Sequence, residues 1–292
     1  MTRKITKAII PVAGFGTRFL PATKAEPKEM LPIVDKPAVQ YLVEEAAASG
    51  ITDIIFVTGR GKRTIEDHFD VAPGLEQMLE EKGKPESAKI VRDIANLARF
   101  AYVRQKYPRG DGDAILTAAH LIGDEPVAVL FGDCIYESKT PALAQLLSAY
   151  EQYGAPILGL AEVPKKDVVH FGVVGGQKLG ERDWLIERFV EKPKVSEAPS
   201  SIVAPGKYII TPAVVRTLRE LQQAGNFQGE LRLADAFSAM ATQKEKLYGR
   251  MLEGEWLDCG SKIGFLKATV RFGLLHPETK EEFNVFLKSL TL

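Results

Sequence analysis

A short loop near the start of the chain carries the residues best suited to chemistry. In "AIIPVAGFGTRFLPATKAEPKEMLP" an apolar run ends in Gly14-x-Gly16, and Thr17, Arg18 and Lys28 follow. Glycine turns leave backbone N–H groups free to face an anion, and a guanidinium can grip phosphate oxygens through two parallel bonds. Two commoner phosphate loops are excluded. A dinucleotide fingerprint needs a third glycine at its sixth position, where this chain has Phe19, and an acidic residue closing a second strand, whereas Asp35 precedes a helix. A Walker loop ends in Gly-Lys-Ser/Thr, which the stretch lacks. Two cations converging on a glycine turn suit a polyphosphate. A plain tight turn between a strand and a loop is the alternative that these residues leave open.

Two aspartates follow much later. Asp133 closes the apolar run "PVAVLFGD", and Asp258 stands in "EWLDCG". Both positions read as strand ends, where a parallel α/β sheet presents its ligands, although an aspartate there also serves as a simple turn former. Each is followed by a cysteine, Cys134 and Cys259. Because neighbouring strand side chains point to opposite faces, aspartates that converge would send the cysteines into apolar packing. Two cysteines make neither a disulfide framework nor, alone, a zinc site. His68, His120, His170 and His276 show no metal spacing and read as structural or surface residues.

The elements that must position these groups alternate. "KAIIPVAG", "TDIIFVTG", "FAYVRQ", "PVAVLFGD" and "APILGLAEV" read as strands. Helices are expected between them, at "KPAVQYLVEEAAASG", through most of 61–98 with a break near "KGKPES", at "GDAILTAAHLI" and at "PALAQLLSAYEQYG". Near-continuous apolar strands alternating with helices imply a parallel sheet covered on both faces. After about residue 164 the pattern changes. "FGVVGGQKLGERDWLIERFVEKP" reads as an antiparallel hairpin and "APGKYIITP" as another strand. Helices at 212–224 and 231–243, strands in "EKLYGRML" and "EWLDCG", and helices at about 261–274 and 277–290 complete the chain. The expected fold is a Rossmann-like, mostly parallel (mixed) sheet sandwiched by helices, with antiparallel insertions and a C-terminal helical tail. It is read as one domain over 1–292: a nucleotide-binding half at 1–163, a sugar-phosphate half at 164–260 and the tail at 261–292.

Composition narrows the role. The 292 residues carry 38 lysines plus arginines against 38 aspartates plus glutamates, and 45% are apolar. That balance argues against nucleic-acid or membrane-surface binding through bulk charge. No apolar run approaches a membrane span, and the basic N-terminus lacks a signal-peptide pattern. A cytoplasmic location is expected.

The stretch "AGFGTRFLPATKAEPKEMLPIVDKP" resembles the signature of the sugar-1-phosphate nucleotidylyltransferases, and its wording is most similar to that of the bacterial UTP–glucose-1-phosphate uridylyltransferases. The resemblance returns at "YVRQ" (102–105), "GDEPVAV" (123–129), "VEKP" (190–193), "APS" (198–200) and "DCG" (258–260). It implies in-line attack of a glucose 1-phosphate oxygen on the α-phosphorus of UTP, giving UDP-glucose and pyrophosphate without a covalent enzyme intermediate. It further implies Ala13, Gly14, Gly16, Thr17, Arg18, Lys28, Glu29, Gln105 and Gly110 on the nucleotide. Gly172, Glu191 and Lys192 would hold the sugar phosphate, and Asp133 and Asp258 a Mg²⁺ ion. Arg18, Lys28, Asp133 and Lys192 would be the catalytic set. Members are commonly oligomeric, so a homodimer or homotetramer built through the amphipathic "LKATVRFGLLH" and "KEEFNVFL" is expected. A thymidylyltransferase using dTTP and a non-catalytic nucleotide-sugar-binding homologue are the competing readings.

Three segments depart from the uridylyltransferase wording. "GDGDA" at 110–114 replaces "GLGHA" and so introduces Asp111 and Asp113. "FGD" stands for "LPD" or "LAD", and "PGKY" for "GRY". Carboxylates near bound phosphates cost binding unless they face solvent or a cation.

Overall fold

The computed structural model describes residues 3–225, 227 and 229–290. The first half contains β1 (Lys7–Pro11), β2 (Pro32–Ile33), β3 (Lys36–Pro37), α1 (Ala38–Ala48), β4 (Asp53–Thr58), α2 (Arg63–Phe69), α3 (Pro73–Glu81), α4 (Pro85–Ala95), β5 (Arg99–Arg104), α5 (Asp111–Ile122), β6 (Val127–Leu130), β7 (Cys134–Glu137), α6 (Ala142–Tyr153) and β8 (Ile157–Glu162). The second half adds β9 (Gly172–Lys178), β10 (Asp183–Glu191), β11 (Ile202–Ala204), β12 (Lys207–Ile210), α7 (Pro212–Ala224), α8 (Leu233–Thr242), β13 (Tyr248–Met251), β14 (Glu255–Asp258), α9 (Lys262–Leu275) and α10 (Lys280–Ser289).

Ten strands form one sheet in the order β11-β9-β10-β13-β8-β12-β6-β1-β4-β5. Strands β6, β1, β4 and β5 run parallel. The β9–β10 pair is the expected antiparallel hairpin. β12 inserts antiparallel between β6 and β8, and β13 pairs parallel with β8, so the sheet is mixed.

Alternation along the strands explains the two-layered core. Ala8 and Ile10 of β1 and Ile54 and Phe56 of β4 pack against α1, α2 and α6. Ile9, Ile55 and Val57 face the opposite way, toward α5, α7 and α8. A strand buried on both faces needs apolar residues at every position, which is why these runs are continuous. Phe56 is fully buried and stacks on Phe69, Phe100 and Tyr102. Truncating it to alanine would cost about 3–5 kcal/mol. Pro37 and Pro212 sit at the starts of α1 and α7, where no N–H partner is lost. Gly154 and Gly225 end α6 and α7 in the left-handed conformation. Among the described residues no helix is long and apolar enough to cross a membrane.

A separate ribbon matters most for the site. β7 and β14 pair antiparallel, with Cys134 opposite Asp258. "CIYE" carries no strand signal of its own, yet it is the strand that draws Asp258 back to Asp133.

Candidate active site

The glycine loop leaves β1 at its C-terminal end. Gly16 adopts φ 65°, and its carbonyl accepts from Thr23 Oγ1 at 2.8 Å. A β-carbon there would meet Lys28 Cβ at 3.1 Å and Thr23 at 3.2 Å, so glycine is needed for conformation and for space. Gly14, Thr17 and Arg18 are exposed. The backbone amides of Gly14, Phe15, Gly16 and Thr17 find no carbonyl partner among the described residues. The loop therefore offers a row of free donors. Phe19, the residue that breaks the dinucleotide fingerprint, stacks edge-on against Phe265 of α9 at 5.6 Å. Arg18 Nη1 donates to the Gly260 carbonyl at 3.3 Å.

Lys28 Nζ lies 2.7 Å from Asp133 Oδ2. Burial opposes charge on Asp133, but the Lys28 ammonium outweighs it and holds the carboxyl below the usual range. Burial likewise disfavours the ammonium of Lys28, yet Asp133 and then Glu29 raise it overall. Asp258 behaves in the opposite sense. Burial, reinforced by the Asp133 charge, pushes its carboxyl up, while the Gly260 N–H it accepts at 3.0 Å pulls the other way. The two aspartates are tied by the backbone, since Cys259 N donates to the Asp133 carbonyl at 2.8 Å. A β-carbon on Gly260 would lie 2.6 Å from Asp133 Oδ2 and 3.1 Å from Asp258 Oδ1. Two oxygen-donor side chains around a cradle kept clear by glycine, one of them held up by burial and by its neighbour's charge, fit a hard divalent cation. Cys134 and Cys259 are free and buried, as expected, and burial pushes the Cys259 thiol up to about 12.

Asp133 and Asp258 line a cleft of about 1120 Å³, together with Arg18, Gly172, Glu191 and Lys192. The β9–β10 pairing sets Glu191 directly opposite Gly172. A β-carbon on Gly172 would strike Phe189 at 2.3 Å and approach Glu191 Oε2 at 3.2 Å, so only glycine leaves that floor open. Lys192 has φ 46°, a conformation few non-glycine residues adopt; its N–H donates to Phe171 O at 3.0 Å, and its ammonium lies 3.4 Å from Glu191. The cleft thus joins Gly172, Glu191 and Lys192 to both aspartates and to one cation of the loop.

Other expected nucleotide residues sit outside that lining. Ala13 follows β1, adjoining Gly59 after β4, whose β-carbon would lie 3.0 Å from the Ala13 carbonyl. Glu29 is 1% exposed and its carboxylate pairs with Lys62 at 2.8 Å. It braces the loop from beneath instead of facing the cleft. Gly110 has φ 103°, and a β-carbon there would meet the Leu231 carbonyl at 2.2 Å. Its glycine is demanded by the docking of this loop onto the start of α8. Gln105 follows β5, and its amide nitrogen donates to Gly110 O at 3.0 Å and to Asp113 Oδ2 at 2.7 Å.

The three departures from the uridylyltransferase wording are each satisfied locally. Asp111 Oδ1 accepts from Leu233 N at 2.6 Å, in the first turn of α8. Burial, with Glu191 and Asp235 adding to it, pushes the Asp111 carboxyl up to about 6 against the pull of the Leu233 N–H and Arg232. Asp113 meets the amides of Gln105 and Gln222. Both carboxylates are half-buried, and backbone and side-chain N–H donors meet them. Phe131 stands where leucine is usual, beside Gly206, which both wordings keep, while Lys207 in place of arginine pairs with Glu45 at 2.8 Å. A β-carbon on Gly206 would hit Phe131 at 2.9 Å, so the glycine makes room for the ring. Asp111, Phe131, Tyr208, Arg232 and Trp256 also line the cleft and were not singled out for it from sequence.

This geometry belongs to a nucleotidyl transferase: residues 7–272 match that family, and the chain is a member of it. It is 48% identical over 291 residues to UTP–glucose-1-phosphate uridylyltransferase YngB of Bacillus subtilis, covering 99% of this chain and 97% of that protein. It is 49% identical over 292 residues to UTP–glucose-1-phosphate uridylyltransferase of Staphylococcus epidermidis, covering 99% and 100%. Among solved structures, a UDP-glucose pyrophosphorylase complexed with UDP-glucose matches with a TM-score of 0.82 at 40% identity, over 92% of this chain and 98% of that one. A UTP-bound enzyme from Acinetobacter baumannii matches at 0.89 and 35%, over 98% and 100%. These neighbours share the mixed α/β architecture described above.

Proposed function

We propose that this chain is a UTP–glucose-1-phosphate uridylyltransferase, forming UDP-glucose and pyrophosphate. The observation that carries the reading is the continuity of one cleft from the Lys28-paired Asp133 to Glu191 and Lys192. The names of the relatives, and the UTP and UDP-glucose held by the structural neighbours, support the substrates.

The chemistry asks for positioning and charge neutralisation, since the attacking phosphate oxygen is already ionised. Lys192 would hold the sugar phosphate while Glu191 accepts from sugar hydroxyls. The free amides at Gly14–Thr17, with Arg18 and Lys28, would draw the triphosphate into line. As the new oxygen–α-phosphorus bond forms, the bond to the β-phosphate bridge breaks, and Arg18 and Lys28 neutralise the departing pyrophosphate. Asp133 and Asp258 would hold Mg²⁺, which supplies further neutralisation when bound. Gln105 would read the pyrimidine edge and Gly110 approach the base.

The nucleotide half at 1–163 and the sugar-phosphate half at 164–260 then act as parts of one domain. The tail at 261–292 adds more than a tail would: α9 begins on the backbone of Asp258 and packs Phe265 on the glycine loop. Ile263 and Leu266 on α9 and Val285 and Phe286 on α10 are exposed apolar residues that suit a homo-oligomeric contact. Two free thiols suit a reducing cytoplasm.

The test is kcat/KM for UTP and dTTP with a panel of hexose 1-phosphates. Preference for UTP with glucose 1-phosphate supports the reading. Preference for dTTP would assign a thymidylyltransferase. Lys192→Ala should raise KM for the sugar phosphate more than for UTP.

A further inference from the structure

We infer that Asp113 is a positioning residue which fixes the amide orientation of Gln105 and so selects pyrimidines carrying an N3–H, uracil and thymine, over cytosine. The inference deepens the proposed reading of the base by Gln105 and rests on it.

The orientation of the Gln105 amide follows from chemistry. Its two side-chain neighbours are a backbone carbonyl, Gly110 O at 3.0 Å, and a carboxylate, Asp113 Oδ2 at 2.7 Å. Both accept and neither donates, so the NH₂ end must face them and spends both hydrogens there. The amide oxygen has no partner among the described residues, and it is not fully buried, so it is free to accept from a ligand. Gln105 as a whole is 7% exposed and its backbone N–H donates to Thr58 O at 2.9 Å, at the C-terminal edge of β4 and β5. What remains for a ligand is a single fixed acceptor at the C-terminal edge of the parallel strands.

A fixed acceptor distinguishes the pyrimidines. Uracil and thymine present N3–H as a donor. Cytosine presents a bare N3 lone pair at the same place, and two acceptors face to face are repulsive. A free glutamine could turn its amide over and serve either base. The Gly110 carbonyl and Asp113 oppose this together, Asp113 through the stronger, charge-assisted bond, while Gln222 Nε2, at 3.3 Å from its other oxygen, steadies the carboxylate. Asp113 also lies in the first turn of α5, where a negative charge is favourable. That structural role must be separated from the positioning role.

The experiment measures kcat/KM for UTP, dTTP and CTP in wild type, Asp113→Asn and Asp113→Glu, with melting temperatures alongside. An asparagine can donate to a turned amide, leaving only the neutral Gly110 carbonyl against it, so Asp113→Asn should lower the UTP:CTP ratio several-fold, mainly through KM, and leave UTP:dTTP unchanged. Asp113→Glu, which keeps an acceptor-only carboxylate, should retain most of the discrimination. A parallel fall for all three nucleotides, tracking a loss of melting temperature, would make Asp113 structural and overturn the inference. So would an unchanged UTP:CTP ratio in Asp113→Asn. Wild-type protein inactive with UTP would instead defeat the proposed function.

Discussion

Lys28 and Asp133, 105 residues apart in the chain, meet at 2.7 Å at the C-terminal edge of the parallel strands. Each sets the protonation of the other against burial. Without Lys28, nothing of equal weight would keep Asp133 ionised in its half-buried position. Lys28→Met should therefore lower kcat for pyrophosphate release by about 10²–10³-fold, the scale of losing one preorganised charge contact. It should also move the acid limb of the pH–rate profile to higher pH, because burial would then act on Asp133 unopposed. A steady-state profile from pH 5 to 9 checks both.

Asp258 is pushed up by burial and by Asp133. A divalent cation between the two would relieve that repulsion. Exhaustive chelation should abolish turnover, and added Mg²⁺ should restore it. Asp258→Asn should need at least about tenfold more metal for half-maximal rate, read by titration of the metal-free protein.

Asp111 makes stability depend on pH in the direction opposite to a salt-bridged carboxylate. Folded, it keeps its proton to about pH 6; unfolded, it releases it near 3.8. Between those values the folded state binds more protons, so stability falls as pH rises through that window and stays lower above it. The loss is on the order of 2–3 kcal/mol. Asp111→Asn keeps an acceptor for Leu233 N and removes the charge. It should melt higher than wild type at pH 7.5 and differ little from it at pH 4, by scanning calorimetry.

Lys207 of β12 is completely buried, and its partner is Glu45 of α1 at 2.8 Å. Glu45 also accepts from Leu143 N, in the first turn of α6, at 2.9 Å. Glu45→Gln leaves the ammonium without a counter-charge and should cost about 3–5 kcal/mol in urea unfolding. Pairing it with Lys207→Met should recover a large part of that loss.

The legible parts of the site were those with a local signal. Asp133 ends an apolar run, Asp258 stands at a strand end, and Arg18 and Lys28 follow a glycine turn, so strand ends and loop composition point to them. The strand "CIYE" was missed because it is four residues long and its partner, "EWLD", lies more than a hundred residues away. Glu29 adjoins Lys28 in sequence, but the short helical turn at Lys28–Met30 swings its side chain inward to Lys62. Asp111 looked like a cost to phosphate binding because its partner, Leu233 N, is supplied 122 residues later. The orientation of β12 was likewise hidden. Its apolar composition marks a strand, but its antiparallel insertion between β6 and β8 is decided by where the chain returns after the β9–β10 hairpin. Local patterning gives periodicity and turns, whereas pairings across long sequence separations need the assembled sheet.

The most direct measurement of the central claim is product formation by purified protein given UTP, glucose 1-phosphate and Mg²⁺, followed by phosphorus NMR alongside Asp133→Ala. The account predicts UDP-glucose and pyrophosphate appearing in equal amounts in wild type, with the variant slower by at least about 10²-fold. Wild-type protein that leaves both substrates unchanged, or an Asp133→Ala variant as fast as wild type, would contradict it.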